Sequence, residues 1–154
     1  MCSINMNMKK LIISFLFSLF FLLPLNAQKL IDTGGKAYSR TSVNTTVFRS
    51  NSVVSSGQYQ YVAFYDEDCN LVLGQRKLSG KKWTLKKTQY KGNCADAHNV
   101  ISIMTDDEGY LHLSFDHHGN SLNYCRSLLP HSLEMGEKQA MTGADENNVT
   151  YPEF

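Results

Sequence analysis

The chain has 154 residues, with 15 lysines and arginines against 14 aspartates and glutamates, and 42% of its residues are hydrophobic. This near-neutral balance provides no strong field for nucleic acid or for an anionic membrane surface, so any attraction for an acidic ligand has to be local.

Lys9-Lys10 followed by the apolar run Leu11 to Leu23, then Pro24-Leu25-Asn26-Ala27, has the layout of a secretory signal peptide over residues 1–27, with cleavage after Ala27. The run is short for a hydrocarbon core of about 30 Å, and no stop-transfer segment follows. A secreted or periplasmic protein is therefore expected, with no stable membrane insertion after cleavage. Losing Lys9 and Lys10 leaves 13 basic residues against 14 acids, a formal charge of −1. Cys69, Cys94 and Cys125 remain in the mature part. Three cysteines permit one disulfide at most, and their spacing does not choose the pair. No CxxC and no Cys/His set with zinc-ligand spacing is present, so the sequence predicts semi-buried thiols and no metal site.

Gln28 to Ser42 reads as a polar, extended lead-in. From Val43 onward the texture is β: Val43–Phe48, Tyr59–Tyr65, Leu71–Arg76, Lys82–Lys87, Asn99–Met104, Tyr110–Phe115 and Ser121–Arg126 are short runs rich in β-branched and aromatic residues. Each is closed by Gly, Asn, Asp or Ser. No helical apolar period appears beyond the leader, and Ser127 to Glu137 reads as loop.

The chain is also self-similar. Tyr61 to Leu78 lies over Leu111 to Leu128 at an offset of 50 residues without a gap, matching Tyr65 with Phe115, Asp66 with Asp116, Asn70 with Asn120 and Arg76 with Arg126. A third unit begins at Asn148-Val149-Thr150-Tyr151. A period of this length built from four short strands is that of a propeller blade. The Asp and Asn have a local reason, since Asp caps free turn amides and Asn tolerates the left-handed conformation. Thr105-x-Asp107-x-Gly109 is expected to serve the same purpose in the next hairpin, and it resembles the Asp-box of sialidase-type repeats, with His112 where the aromatic would stand.

The fold class predicted is all-β, with about two four-stranded blades and the start of a third. Propellers close with four to eight blades, so residues 28–154 are expected to be a partial propeller domain truncated at its C-terminus, the N-terminal part of a longer protein.

Three of the five histidines, His98, His117 and His118, fall at neighbouring strand ends. One hairpin separates them, which returns the chain to the same edge of a meander. Two imidazoles brought together suit proton abstraction, neutralisation of a carboxylate or metal binding. The corresponding turn of the first unit, Glu67-Asp68-Cys69, shows that the scaffold does not require histidine there. His112 reads as a sheet-face residue and His131 as a loop residue without a partner.

Asp96-Ala97-His98-Asn99, Asp107-Glu108-Gly109-Tyr110-Leu111-His112, Phe115-Asp116-His117-His118-Gly119-Asn120 and Val149-Thr150-Tyr151-Pro152-Glu153-Phe154 together resemble the BNR-4 repeat proteins, from about Gly57 to the C-terminus. That family contains secreted seven-bladed β-propellers, among them ulvan lyases. The resemblance implies β-elimination on a uronate-containing, sulfated polysaccharide without a cofactor. It makes His98 and His118 the catalytic pair, with Asn99, His117 and Asn120 as substrate-binding neighbours. The tyrosine and arginine of those lyases come from later blades, so this fragment by itself is expected to be inactive. Two alternatives stay open. One is a non-catalytic glycan-binding propeller with Tyr61, Tyr65 and Tyr124 as stacking surfaces. The other is a sialidase-like hydrolase, against which the scattered Arg40, Arg49, Arg76 and Arg126 speak.

Overall fold

A computed structural model describes residues 29–151 and 153–154; the leader expected over residues 1–27 lies outside them. Among the described residues every regular element is a strand: β1 (Val53–Ser56), β2 (Tyr59–Tyr65), β3 (Asn70–Lys77), β4 (Thr84–Lys91), β5 (Ile101–Thr105), β6 (Leu111–Phe115), β7 (His118–Asn120), β8 (Tyr124–Arg126) and β9 (Val149–Thr150). No helix of the described residues is long and apolar enough to cross a membrane.

The first unit is a four-stranded antiparallel meander in the order β1-β2-β3-β4. The second holds β5-β6-β8. An irregular fourth segment runs along its outer edge, where Leu128 N–H donates to Glu134 O and Gly136 N–H to Arg126 O, each at 2.8 Å. Two blades are thus present, the second with an irregular outer strand. The short strand β7, in the loop after β6, pairs with β9 through His118 and Thr150 in a separate two-stranded sheet.

Period-two alternation decides which residues join the two blades. Tyr61, Ala63, Tyr65, Leu71 and Leu73 of the first blade and Ile101, Ile103, Leu111, Leu113, Phe115 and Cys125 of the second form one buried cluster. Each fully buried leucine, isoleucine or phenylalanine of this cluster contributes about 1.5–3 kcal/mol relative to exposure. Tyr61, Tyr65 and Tyr124 are all buried, the commoner place for such aromatics, so the stacking surface considered for a glycan-binding alternative is not formed by them.

Val43–Phe48 is not a strand. Asn44 sits inside a turn closed by the Thr45 amide on Ser42 O at 2.7 Å. Its side-chain amide donates to Tyr38 O and Tyr65 O, and its Oδ1 accepts the Tyr65 amide at 2.9 Å. Such side-chain bonding to the backbone competes with a ladder. The first strand of the blade is instead β1, which begins ten residues later.

The 50-residue repeat holds through β2 and β6 but slips by two residues beyond them. Val62 faces Gly74 across β2 and β3, whereas His112 faces Arg126 across β6 and β8. Arg126 is therefore the counterpart of Gly74 and not of Arg76. The two residues gained lengthen the loop after β6, which is the loop that carries His117 and His118.

A shared turn does recur, at a different spacing. After β2, Asp66 Oδ1 accepts the Asn70 amide at 2.8 Å, and Cys69 takes the left-handed conformation at φ 61°. After β5, Asp106 Oδ1 accepts the Tyr110 amide at 2.8 Å, and Gly109 lies at φ 86°. The capping acid of the second hairpin is therefore Asp106, where the sequence reading had placed Asp107.

Candidate functional site

The loop Asn93–Asn99 leads from β4 into β5 and is built from side-chain turns. Asn93 Oδ1 accepts the Ala95 amide at 3.1 Å, and Asp96 Oδ1 accepts the His98 amide at 2.9 Å. Its base is fastened by the Cys69–Cys94 disulfide, with a Cα–Cα distance of 5.8 Å, to the β2–β3 turn. Cys125 stays a buried thiol. The expectation of three unbridged thiols is thereby revised, and the pairing that spacing left open is settled.

Opposite this loop, the turn after β6 departs from the Asp66 pattern. Asp116 adopts φ 63° and turns its carboxylate to the Asn93 amide at 2.7 Å. The chain then swings out into β7, where Asn120 Oδ1 accepts the His118 amide at 2.7 Å. Freed from capping its own turn, this loop presents His118 beside His98.

The two imidazoles converge on one carboxylate. His98 Nδ1 lies 2.6 Å from Asp96 Oδ1 and His118 Nδ1 lies 2.6 Å from Asp96 Oδ2. The ring centroids are 4.4 Å apart. An ionised carboxylate only accepts, so both Nδ1 atoms carry the hydrogen. Contacts this short are charge-assisted, and they fix ring orientation. The His118 ring, then the His98 amide and ring, hold the Asp96 carboxyl well below the usual carboxylate range. Each Nε2 is left without a protein hydrogen bond among the described residues, and both rings are about half exposed.

The carboxylate and His118 line a polar cleft of about 220 Å³ with Asn93, Asn99, Asp116 and Asn120. Phe48 stacks on His98 at 5.7 Å and an interplanar angle of 11°, and Tyr151 lies 5.7 Å from the same ring. Tyr151 is 40% exposed, so an aromatic wall stands beside the pair.

The residues read as candidates divide in this arrangement. His98 and His118 meet. Asn99 and Asn120 border the cleft and also brace its loops, Asn99 Nδ2 donating to Asn93 O at 3.0 Å and Asn120 Nδ2 to Asp116 O at 2.9 Å. His117 points the other way: its ring is buried, with Nε2 accepting the Asn123 amide at 2.7 Å. Burial, then the nearby Lys138 charge, lowers its pKa to about 4. The substrate-binding role read for His117 is corrected on that ground, because its neutral ring anchors the loop from inside. His112 is held between Tyr124 Oη at 2.6 Å and Asp106 Oδ2 at 3.0 Å, on the sheet face as expected. His131, read as partnerless, meets the Tyr61 hydroxyl at 3.2 Å.

Asp96 is the residue that sequence reading passed over. Its signal was the Asp-x-His spacing, at which an Asx turn brings the acid back to the imidazole two residues on. Phe48 and Tyr151 gave no signal, since both reach the site only through the fold. The arginines do not converge. Arg49 is half-buried against Asn44 O and Ala63 O, while Arg76 and Arg126 lie over Trp83 and Tyr110. Sialic-acid-type carboxylate binding by an arginine cluster thus has no counterpart among the described residues.

The architecture defines an all-β chain of propeller blades bearing a histidine pair at one blade edge. Residues 59–154 match the family described as BNR repeat-containing family member, and the chain belongs to that family. Among solved structures it is similar to a polysaccharide lyase of family PL25, an ulvan lyase, with a TM-score of 0.57 at 13% identity. The same kind of enzyme bound to -[GlcA(1-4)Rha3S]- gives a TM-score of 0.57 at 12% identity. Each comparison covers 72% of this chain and 30% of the lyase. At that identity the likeness is one of fold. No curated protein matches the chain.

Proposed function

We propose that the protein is exported and acts on uronate-containing polysaccharide by β-elimination, in a propeller to which these blades contribute one side of the cleft. The observation that carries this reading is the pair of imidazoles 4.4 Å apart, both clamped by Nδ1 to Asp96 with their Nε2 atoms free. Elimination requires the uronate carboxylate to be neutralised, the C5 proton removed and the O4 leaving group protonated. A neutral imidazole with a free Nε2 lone pair is a base matched to neutral pH.

In this mechanism His98 Nε2 takes the C5 proton. The electron pair of that C–H bond forms the C4–C5 double bond as the C4–O4 bond breaks, and the departing O4 takes its proton from water in the cleft. His118 holds the sugar beside the reacting centre, and neutralisation of the carboxylate falls to groups of the other blades. Asp96 stabilises the positive charge that develops on His98, as a carboxylate does for an imidazolium formed in proton transfer. Tyr151 and Phe48 offer an apolar wall for the sugar face. Support also comes from the family membership and from the fold shared with ulvan lyases.

The test is the ultraviolet absorbance of unsaturated uronate when the protein, extended to its full set of blades, is incubated with uronate polysaccharides. Growth of that signal, lost on His98→Ala, supports elimination. Saturable binding without the signal assigns the protein to glycan recognition, and hydrolysis without an unsaturated product assigns it to the hydrolases.

A further inference from the structure

We propose that Asp96, His98 and His118 form a binding site for one divalent transition-metal ion, zinc(II) being the ion class that this donor set fits. The inference goes beyond the elimination reading and does not rest on it.

Three ligand atoms, one from each side chain, lie within 4.8 Å of one another. They are positioned before any ion arrives. The Asx turn sets Asp96 against the His98 amide at 2.9 Å, and Asn120 fixes the His118 amide at 2.7 Å. Asp96 is 29% exposed, and both rings are more exposed still, so an ion reaches the cluster from solvent.

Two imidazoles and one carboxylate select among cations. Calcium and magnesium take six or more oxygen ligands. Zinc accepts nitrogen and oxygen together and commonly sits on three protein ligands with a fourth position open. Bonds of about 2.0–2.2 Å in a tetrahedron separate neighbouring donors by roughly 3.3 Å. The two Nδ1–oxygen contacts are now 2.6 Å. Accommodating the ion therefore needs the carboxylate to retreat from the imidazoles by less than about 1 Å.

Each Nδ1 lone pair then binds the metal, and the hydrogen that Nδ1 carried moves through water to Nε2, so both imidazoles stay neutral. The open coordination position faces the cleft, where water or a ligand carboxylate oxygen completes the shell. With Nε2 protonated, His98 is no longer a base, so metal binding and elimination by these imidazoles exclude each other. Sequence reading found no complete ligand set because only the fold brings His118 to the Asp96-x-His98 pair. The other histidine–acid contact, His112 with Asp106, supplies two donors, and both nitrogens of that ring are already engaged.

The test is calorimetric titration of the complete, chelator-treated chain with zinc chloride, repeated by visible absorption with cobalt(II). The proposal expects one equivalent bound and the d–d bands of a low-symmetry, four-coordinate cobalt site. Affinity should fall at least tenfold in His98→Ala, His118→Ala and Asp96→Asn, and stay unchanged in His131→Gln. Should either alanine variant fail to fold by circular dichroism, the near-isosteric Asp96→Asn decides. Absence of saturable binding, or binding that survives Asp96→Asn and the His98→Ala/His118→Ala double variant, overturns it. Because binding itself is read, inactivity toward polysaccharide leaves the result intact.

Discussion

The hydroxyl of Tyr65 donates to the main-chain carbonyl of Asn99 at 3.0 Å, across the buried interface between the two blades. Burial, foremost, raises the pKa of this hydroxyl far above its ordinary value, so it remains a donor. The bond joins the end of β2 to the residue that follows His98. Tyr65→Phe leaves a buried carbonyl without its partner, which costs about 1–3 kcal/mol. The expected outcome is a lower urea midpoint together with faster amide exchange at His98 and Asn99. Unchanged exchange there would separate Tyr65 from the site.

The Cys69–Cys94 disulfide closes a segment of 25 residues and pins the start of the Asp96 loop. Constraining the unfolded chain over that length stabilises by roughly 3 kcal/mol. Cys69→Ser/Cys94→Ser should lose stability on that order in urea unfolding. Dithiothreitol should weaken the parent protein in the same way and leave the double variant unaffected.

His117 predicts a pH dependence. Its pKa is about 4 in the folded protein against an ordinary value of 6.5, because burial first, and the Lys138 charge second, disfavour the imidazolium. Between those values the unfolded chain binds a proton that the folded chain does not. Its contribution is therefore fully present above pH 6.5 and is lost as the pH falls towards about 4. The shift corresponds to roughly 3 kcal/mol at most. His117→Gln, which can still accept the Asn123 amide, should flatten urea stability across that window. An unchanged slope would show that His117 does not carry it.

The β-branched and aromatic runs Tyr59–Tyr65 and Tyr110–Phe115, each closed by turn residues, were enough to read the central strands, because such side chains fit a half-buried pleated surface. Helix was rightly missing from the prediction for the described residues. The edges were less legible. Thr84 to Lys91 extends beyond the Lys82–Lys87 predicted, and Asn44 converts an apparent strand into a turn through bonds to Tyr38 and Tyr65 that are set by tertiary structure. The ungapped repeat hid a two-residue slip, since Arg76 and Arg126 coincide in sequence without coinciding in register. For the site, the strand-end histidines were visible as departures from the first unit. Which of His117 and His118 faces outward was not, because that choice depends on the left-handed Asp116 and on β9, which is distant in sequence. Asp96 looked like one more loop acid. Only its second oxygen, on His118 across 22 residues, distinguishes it.

The central claim is that one carboxylate holds two imidazoles by Nδ1 and leaves both Nε2 lone pairs free. Long-range nitrogen–proton NMR of the histidine rings reads that state directly. At neutral pH the account predicts that His98 and His118 both carry the hydrogen on Nδ1, and that Asp96→Asn shifts at least one of them to the Nε2–H tautomer, because a carboxamide accepts from one ring and must donate to the other. Rings that show Nε2–H in the parent protein, or that are unmoved by Asp96→Asn, would contradict it.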